Sequence, residues 1–285
     1  MPVSTLRRVA PAKLNLFLHV TGRRADGYHQ LQTVFQLLDF GDELEFQTRE
    51  DRQLRLKLDP ASPVTHVPLQ QNLILDAAEA LRQRFDHPGI GADIVLKKRI
   101  PMGAGLGGGS SDAATSLLAL NELWGLHAEL PELMEIGLAL GADVPVFLQG
   151  HSAWAEGIGE QLEPLTLPPS WYVVITPDCE VSTARIFTHE NLTRNSATIK
   201  IADFLAGGSR NDCESVTCEL YPRVAEALNW LRQFAESRMT GTGSSVFASF
   251  PDAAGAEAVL ARLPKDWTGF VAPGVNSLEE LSSAT

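Results

Sequence analysis

Apolar and polar residues alternate with a period of two over residues 13–20, as in a strand that buries one face. Lys13 and Asn15 fall on the same face of this strand and therefore point in the same direction. Two more extended segments, residues 30–38 and 43–48, flank a short stretch of turn-forming residues at 39–42. The start of the chain thus predicts three strands, with a turn between the second and the third.

Beyond this region the pattern alternates between helical and extended segments. Apolar spacing predicts helices over residues 72–86, 111–125, 131–140, 183–190 and 222–237, and extended runs predict strands over 91–98, 171–176 and 246–248. Gly141 is a predicted C-terminal cap before a turn at residues 142–145, and Pro222 opens the last of the helices. The mixture predicts an α/β (α+β) fold.

The most informative segment lies between the strand at 91–98 and the helix that follows it. Residues 101–114 read PMGAGLGGGSSDAA, with five glycines among seven positions. Glycine adopts positive φ and lets backbone N–H groups approach an anion. The helix, predicted to start near Ser110 or Ser111, adds the positive end of its dipole. The segment therefore predicts a phosphate-binding loop, and the ligand is a nucleotide or another phosphate ester.

Other glycine-rich loops compete for the same letters. Gly103-x-Gly105-x-x-Gly108 satisfies the dinucleotide pattern, but no second strand with a ribose-binding acid follows. Gly109 stands where the Walker pattern needs lysine, and the lysine strand and His-Arg-Asp loop of protein kinases are missing from the sequence. A flexible linker is not normally bracketed by an apolar strand and an Ala/Leu-rich helix.

Two later features bear on organisation. A second glycine-rich turn, residues 239–245, leads into the strand at 246–248. The proline-rich stretch at Pro164, Pro168 and Pro169 is the predicted domain boundary. With 285 residues, of which 44% are hydrophobic, the chain can bury a sizeable core, as two domains or as one large α/β unit.

Composition narrows the class of protein. A net charge of -12 argues against a general nucleic-acid binder, and no apolar run in the sequence approaches the length of a membrane span. The three cysteines, Cys179, Cys213 and Cys218, form neither an even framework nor a CxxC pair, which predicts a reducing interior and hence the cytoplasm.

Basic residues cluster despite the acidic total. The first 25 residues contain no acid and five basic residues, Arg7, Arg8, Lys13, Arg23 and Arg24. A second basic group, Lys97, Lys98 and Arg99, directly precedes the glycine loop. These groups either supply local positive potential to an anionic ligand or, for the arginines near the start, form a solvated surface.

Phosphoryl transfer needs the γ-phosphate held in line with an acceptor oxygen, its charge neutralised, and the acceptor's proton removed. Asp143 follows a helix end and precedes Pro145, so it is either a base at a cleft or a turn carboxylate bonded to its own backbone. The role of Lys13, on a strand face, is equally ambiguous from the local sequence. Asp112 is a favourable first-turn acid, and the scattered histidines form no His-x-x-x-His pair.

Three segments, in order, resemble the signatures of the GHMP small-molecule kinase family. They are the lysine strand at 10–15, the glycine loop at 101–114 and the late Gly-x-Gly turn at 239–245. The resemblance implies a GHMP kinase fold of two domains with the active site in the cleft between them. Residues 1–160 would form the ATP-binding domain, like ribosomal protein S5 domain 2, and residues 161–285 a ferredoxin-like substrate domain whose last strand returns to the first domain.

Further pieces resemble the branch of the family that acts on 4-diphosphocytidyl-2-C-methyl-D-erythritol (CDP-methylerythritol). They are residues 11–16, 26–29, 107–111, 141–147 and 211–214. The resemblance implies ATP-dependent phosphorylation of the substrate's 2-hydroxyl in the non-mevalonate route to isoprenoids. Ala104, Cys213 and a second threonine in the late turn depart from that branch.

Residue roles follow from the resemblance. Asp143 would remove the hydroxyl proton while Lys13 stabilises developing charge, and the substrate would contact Asn15, Tyr28, His29 and Phe187. Asn72 and Lys98 would lie near adenine. The ATP-binding loop comprises Pro101, Met102, Gly103, Ala104, Gly105, Leu106, Gly107, Gly108, Gly109, Ser110 and Ser111. Mg²⁺ is expected with ATP, held by the hydroxyl of Ser110 or Ser111.

Taken alone, Tyr28 and Phe187 would more often be core aromatics and His29 an exposed turn residue. Two rival functions remain: another kinase of the family, such as homoserine or mevalonate kinase, or a non-catalytic sensor on the same fold. The first should lack the Gly27-Tyr28-His29 pocket, and the second should lack the base or the lysine. The expected partner is a small molecule, with no nucleic acid or membrane, and the expected state is a monomer or weak homodimer.

Overall fold

The computed structural model describes residues 5–86, 90–207 and 209–282. In the first half the elements are β1 Thr5–Arg23, β2 His29–Arg49, β3 Leu54–Leu58, α1 Leu73–Arg84, β4 Gly91–Lys97, α2 Gly108–Trp124, α3 Leu130–Leu140, α4 Val144–Gln149, β5 Ala153–Glu156 and β6 Gln161–Pro164. In the second half they are β7 Trp171–Thr176, α5 Thr183–Thr188, α6 Ile201–Leu205, α7 Glu214–Leu220, α8 Pro222–Leu231, β8 Ser237–Met239, β9 Val246–Phe250, α9 Ala253–Leu260 and β10 Thr268–Val275, before a 3₁₀ turn at Leu278–Glu280.

One mixed sheet runs through the described residues, in the order β3-β4-β2-β10-β7-β9-β8. The long strand β2 organises the first half, because it pairs antiparallel with β1, β4 and β5. The only parallel pair recorded among the described strands is β3 with β4. The end of β10 pairs with β2 through Gly274 and Val275, which joins the two halves of the sheet.

The second half has a ferredoxin-like arrangement, as the family resemblance implied. Its strands lie in the order β10-β7-β9-β8, all antiparallel. Helices α7 and α8 lie between β7 and β8 along the chain, and α9 lies between β9 and β10. This is the split β-α-β-β-α-β pattern, with the helices packed on one face of the sheet.

The core has separate centres in the two halves, and β1 contributes to both. Helices α1 and α2 and strands β2 and β4 supply the largest buried cluster. A second cluster joins α8 and α9 to β7 and β9, and it includes Leu18 and Val20 from the far end of β1. The first strand therefore spans from one hydrophobic core to the other. Within the described ranges, no helix has the length and apolar content needed to cross a membrane.

The predicted turn at residues 39–42 was wrong, because β2 continues through it. Gly41 does not form a turn but lets the backbones of β1 and β2 approach closely, because a Cβ on Gly41 would lie 2.3 Å from the carbonyl oxygen of Ala10. Asp42 is buried, and its carboxylate accepts hydrogen bonds from the backbone N–H groups of Arg99 and Ile100, at 2.5 and 2.8 Å. Tertiary contacts therefore override the local turn signal.

Three predicted helix boundaries also need correction. Helix α2 begins at Gly108 rather than at Ser110 or Ser111, and its N-cap Gly107 has φ of +72°. The predicted turn at 142–145 in fact opens α4, with Asp143 as the N-cap residue. Helix α8 ends at Leu231, because Phe234 N–H bonds the carbonyl of Leu231 at 3.0 Å, three residues back, and the chain then enters β8.

Candidate active site

Lys13 and Asn15 occupy the middle of β1, where irregular pairing with β2 occurs on either side of them. Both side chains are buried, and Lys13 Nζ donates to Asn15 Oδ1 at 2.5 Å. Asn15 Nδ2 donates in turn to Thr33 Oγ1 on β2 at 2.9 Å, and Asn15 N donates to Thr240 Oγ1 at 2.9 Å. The lysine head is therefore fixed by Asn15, which is itself bonded to residues of both halves of the fold.

Asp143 meets this lysine from the opposite wall of the cleft. Lys13 Nζ lies 3.3 Å from Asp143 Oδ2, and the lysine is buried while 35% of the aspartate side chain is exposed. Asp143 precedes α4 but makes no side-chain capping bond to that helix. The alternative of a turn carboxylate bonded to its own backbone is therefore not what the structure contains. The free side of this carboxylate faces the cleft.

The glycine loop packs against the lysine and against the late glycine turn. Lys13 Nζ donates to Gly105 O at 3.1 Å, and Thr240 Oγ1 donates to the same oxygen at 3.2 Å. Ser245 N donates to Ala104 O at 3.1 Å. Gly103, Gly105 and Gly107 all have positive φ, a conformation that favours glycine. The two glycine-rich segments, far apart in sequence, thus form one continuous floor.

Two clefts flank the glycine loop. The larger, of about 870 Å³, is lined by Lys13, Asn15, Asp143, Tyr28, His29 and Phe187. The smaller, of about 340 Å³, is lined by Asn72, Lys98 and most of the loop. Gly103, Gly105, Gly107 and Ser110 border both. The residues predicted for substrate and those predicted for ATP are thus separated into adjacent clefts that meet at the loop.

The two residues predicted to lie near adenine, Asn72 and Lys98, have different surroundings in the smaller cleft. Asn72 is the N-cap of α1, where its Oδ1 accepts from Ile74 N at 3.0 Å. Lys98 lines the cleft, but its Nζ is buried between Asp42 Oδ2 and Asp112 Oδ2, at 2.6 Å from each. The lysine ammonium is therefore bonded to carboxylates beneath the loop rather than presented to a ligand.

Asp112 completes this buried cluster and was not predicted to do so. Burial, followed by the charge of Asp42, raises the pKa of Asp112 well above its usual range. Burial lowers the pKa of Lys98, but the charges of Asp112 and Asp42 outweigh that effect and leave it raised. The triad joins β2, the residue that follows β4, and α2 just beyond its first turn, so it ties the start of this helix to the sheet. Asp112 is therefore not the first-turn acid that the sequence predicted, because α2 begins at Gly108. The sequence feature that could have indicated this triad is the presence of a lysine and two acidic residues within segments that are otherwise apolar.

The far end of the larger cleft contains an aromatic pocket. The rings of His29 and Phe187 stack with centroids 5.0 Å apart and an interplanar angle of 25°. Tyr28, on the loop before β2, is 60% exposed and lines the same cleft. Burial, then the charges of Arg194 and Arg23, lowers the pKa of His29. The pocket thus offers an imidazole with a lowered pKa beside two aromatic side chains.

Comparison with known proteins agrees with this arrangement. The model of the GHMP kinases N terminal domain matches residues 72–151, and that of the GHMP kinases C terminal region matches residues 190–269. The chain belongs to the GHMP kinase family. It is accordingly an ATP-dependent small-molecule kinase, and the two-domain α/β fold class predicted from the sequence is confirmed.

Individual relatives of this GHMP kinase carry a more specific name. It is 55% identical to the 4-diphosphocytidyl-2-C-methyl-D-erythritol kinase of Alkalilimnicola ehrlichii, over 93% of this chain and 90% of the relative. It is also 55% identical to the enzyme of the same name from Pseudomonas entomophila, over 94% of this chain and 92% of the relative. A solved structure of 4-(cytidine 5'-diphospho)-2C-methyl-D-erythritol kinase matches at TM-score 0.82 and 33% identity, covering 95% of this chain and 100% of the other.

Residues outside the predicted site also shape it in this GHMP kinase. Asn211 Nδ2 donates to Met239 O and Gly241 O, both at 2.8 Å, and so holds the late glycine turn. Asp212 Oδ2 accepts from Val20 N at 2.8 Å, which ties the same segment to β1. The sequence marked Asn211 and Asp212 as part of the family pattern without a role. Arg194, which bonds His29, carried no signal in the sequence beyond being a basic residue.

The residues around α2 fit a magnesium ion that is held mostly by phosphate oxygens. Ser110 borders both clefts, and the buried Ser111 Oγ has no hydrogen-bond partner. No group of three or more His, Cys, Asp or Glu side chains suited to a metal occurs among the described residues. Mg²⁺ keeps several waters and binds nucleotides through one or two protein oxygens, so a hydroxyl at the loop is sufficient.

Proposed function

We propose that this kinase transfers the γ-phosphoryl group of ATP to the 2-hydroxyl of CDP-methylerythritol, a step toward isoprenoid precursors by the non-mevalonate route. The observation that carries the proposal is the contact of Lys13 Nζ with Asp143 Oδ2, 3.3 Å apart, beside the glycine loop. The pocket of His29, Phe187 and Tyr28 lies in the same cleft, as a cytidine-linked acceptor requires. Relatives of this name cover nearly the whole chain.

The chemistry follows from the two charged groups. Asp143 accepts the proton of the substrate's 2-hydroxyl while the hydroxyl oxygen forms a bond to the γ-phosphorus of ATP. The bond between this phosphorus and the oxygen that bridges it to the β-phosphate breaks at the same time, which releases ADP. Lys13 is buried and fixed by Asn15 and Gly105 O, so it stabilises negative charge in the transition state without reorganising. Asn15 is a positioning residue for the lysine and borders the acceptor.

ATP occupies the smaller cleft and reaches the larger one across the loop. Residues 101–111 wrap the phosphates, with the N-terminus of α2 adding positive potential. Asn72 and the main chain near Lys98 lie at the adenine end. Ser110, with Ser111 adjacent, would hold the Mg²⁺ that accompanies the nucleotide, and that ion would neutralise phosphate charge.

The cytosine ring lies in the aromatic pocket, between the faces of Tyr28 and Phe187, and bonds His29 through its edge. An aromatic ring gains about 0.5–1.5 kcal/mol from such a pair beyond burial. Tyr28 is exposed, so its ring is free to cover a base that stacks on Phe187. The cleft of about 870 Å³ is of the size that encloses a small-molecule ligand.

The remaining assignments concern the whole protein. We place the domain boundary at 160/161, between the end of β5 and the first residue of β6. The three cysteines are free thiols, which supports a reducing compartment, the cytoplasm. The chain acts on a small molecule as a monomer or weak homodimer, and its charge of -12 disfavours nucleic acid and anionic membranes.

A direct assay tests the function. Purified kinase, ATP and Mg²⁺ are mixed with CDP-methylerythritol, homoserine or mevalonate, and products are followed by ³¹P NMR and by ADP release. We expect a new phosphomonoester signal with CDP-methylerythritol alone, one per ADP formed. Turnover of homoserine or mevalonate instead would assign another branch of the family. ATP binding without turnover of any acceptor would favour the sensor.

A further inference from the structure

Arg194 stands behind the base pocket, where its guanidinium is almost fully bonded. Its Nη2 donates to Phe187 O at 2.9 Å and to His189 O at 2.7 Å, and its Nη1 donates to Leu192 O at 3.1 Å. Its Nε–H points at His29 Nε2, 3.2 Å away. One arginine therefore anchors the carbonyls of the segment that carries Phe187 and, at the same time, one nitrogen of the imidazole.

This bond restricts the protonation of His29. A guanidinium has five N–H donors, no acceptor, and stays protonated in proteins. His29 Nε2 must therefore accept, so the ring is neutral with its proton on Nδ1. The charges of Arg194 and Arg23 and the burial of the ring act in the same direction, since each disfavours imidazolium.

We propose that Arg194 is a specificity-determining positioning residue, which fixes His29 as an Nδ1–H donor and so selects cytosine over uracil. The inference rests on the proposed function. The proposed bond runs from Nδ1–H to N3 of the base, which is an acceptor in cytosine but carries a hydrogen in uracil, so uracil would meet this donor with a donor. O2 is an acceptor in both bases and does not discriminate between them. Arg194 occupies the acceptor nitrogen of this imidazole, so Nδ1–H is the polar group of the ring that is left for the base.

Stacking on Phe187 makes this selection effective. The two rings are nearly parallel, so a base that bonds the edge of His29 lies in its plane and over the same phenyl face. Arg194 holds Phe187 O and His29 Nε2 together, which fixes the plane and the edge with one side chain. A mismatch at the edge then leaves a polar group unpaired in the pocket, which is the costly outcome for specificity.

The test compares Arg194→Met, Arg194→Gln and wild type with the CDP-linked acceptor and its UDP-linked analogue. Methionine removes every donor, whereas the glutamine amide restores a donor toward His29. We expect Arg194→Met to lower the ratio of kcat/KM for the CDP acceptor over the UDP acceptor by roughly tenfold or more, the value of one hydrogen bond. Arg194→Gln should recover part of that ratio, while the KM for ATP stays within about twofold in both.

A matched control separates positioning from general loosening. Arg185 lies on the same short helix as Phe187, but it packs over the ring of Tyr221, 5.8 Å from the centroid. Arg185→Ala should leave the ratio unchanged. If Arg194 merely supported the loop, Arg194→Met would raise KM for both acceptors equally and keep their ratio, which would overturn the inference.

A substrate-free measurement keeps this result distinct from the proposed function. In ¹⁵N-histidine spectra of the wild type, assigned with His29→Gln, we expect His29 as a neutral ring with an unprotonated Nε2. Arg194→Met should shift it toward the Nε2–H form. A wild-type His29 already protonated on Nε2 would refute the inference even if the kinase turns over CDP-methylerythritol. Failure of turnover with the expected spectra would refute the proposed function alone.

Discussion

Lys13 and Asp143 face each other across the cleft with Nζ and Oδ2 3.3 Å apart, although they are 130 positions apart in sequence. The lysine comes from the middle of β1 and the aspartate from the N-terminus of α4, so no local pattern brings them together. The glycine loop passes beside them, and Gly105 O accepts from the same Nζ. An acceptor hydroxyl placed on the free side of Asp143 would lie at the mouth of this loop.

Asp143→Asn should remove the base while keeping the shape of the site. A positioned base contributes roughly 10²–10⁴-fold in rate, so we expect kcat to fall by that range. ATP affinity, measured by calorimetry, should stay within about threefold because the smaller cleft does not contain Asp143. Retention of more than about a tenth of wild-type kcat would remove the assigned role. Thermal unfolding serves as the control for folding.

Asn15→Ala should disturb the lysine rather than the proton transfer itself. The substitution removes the Nζ contact at 2.5 Å and leaves Thr33 Oγ1 without its donor at 2.9 Å. We expect kcat to fall by roughly tenfold, the value of one hydrogen bond to a charged group. Thr33→Val is the matched variant, since it releases Asn15 without touching the cleft lysine. Its effect should have the same sign and be smaller; an unchanged kcat in both would mean that Asn15 does not position Lys13.

The sequence predicted the parts of the site that local chemistry specifies. The glycine loop, the lysine face of β1 and the base candidate were all recognisable, because backbone freedom, strand periodicity and a Pro-containing turn are written within a few residues. The turn expected at residues 39–42 failed for the opposite reason. Asp42 is buried against Lys98, Arg99 and Ile100, which follow β4, and its carboxylate meets these partners only when the sheet is assembled.

The same distinction explains Lys98 and Arg194. The family resemblance implied that Lys98 lies near adenine, but two carboxylates distant in sequence bind its ammonium. Arg194 lies in a loop of little pattern, and its importance arises from a bond to His29, 165 positions away. Side-chain pairing over such separations depends on the fold and has no signature in a single segment.

Gly105→Ala should damage the loop, whereas Gly109→Ala should not disturb the fold. At Gly105 φ is +74° and a Cβ would lie 2.4 Å from the carbonyl oxygen of Thr240. At Gly109, inside α2, the nearest atom would be 3.7 Å away. Positive φ costs roughly 1–3 kcal/mol for a residue with a side chain, before the clash is added. Alanine at a helical glycine gains up to about 1 kcal/mol.

We therefore expect Gly105→Ala to lower the melting temperature and to raise the KM for ATP, since the loop must shift away from Thr240. Gly109→Ala should melt at or above the wild-type temperature. Because its fold is undisturbed, any change in its KM for ATP measures only whether the added methyl group fits beside the phosphates. Differential scanning calorimetry and initial rates measure both. Equal melting temperatures for the two variants would show that the contact between the loop and the late turn does not restrain this glycine.

The buried triad predicts unequal costs for its two carboxylates. Asp42 uses both oxygens, toward Lys98 and toward two backbone N–H groups, while Asp112 Oδ1 has no partner. Removing one charge from a buried pair costs about 3–5 kcal/mol. We expect Asp42→Asn to reach that range in urea unfolding and Asp112→Asn to cost less. Equal costs would mean that the backbone contacts of Asp42 contribute nothing.

The stability cost of Asp112→Asn should depend on pH, and the sign of this dependence follows from the pKa of Asp112. Burial and Asp42 raise the pKa of Asp112 in the folded chain, so the folded state holds this proton at a pH where the unfolded chain has released it. The stability from this group is then full below the unfolded pKa of about 4 and is lost as pH rises through the folded value. Asp112→Asn cannot ionise and escapes that loss. Its cost relative to wild type should therefore shrink as urea unfolding is repeated at higher pH, and a cost that grows would place the folded pKa of Asp112 below its usual value.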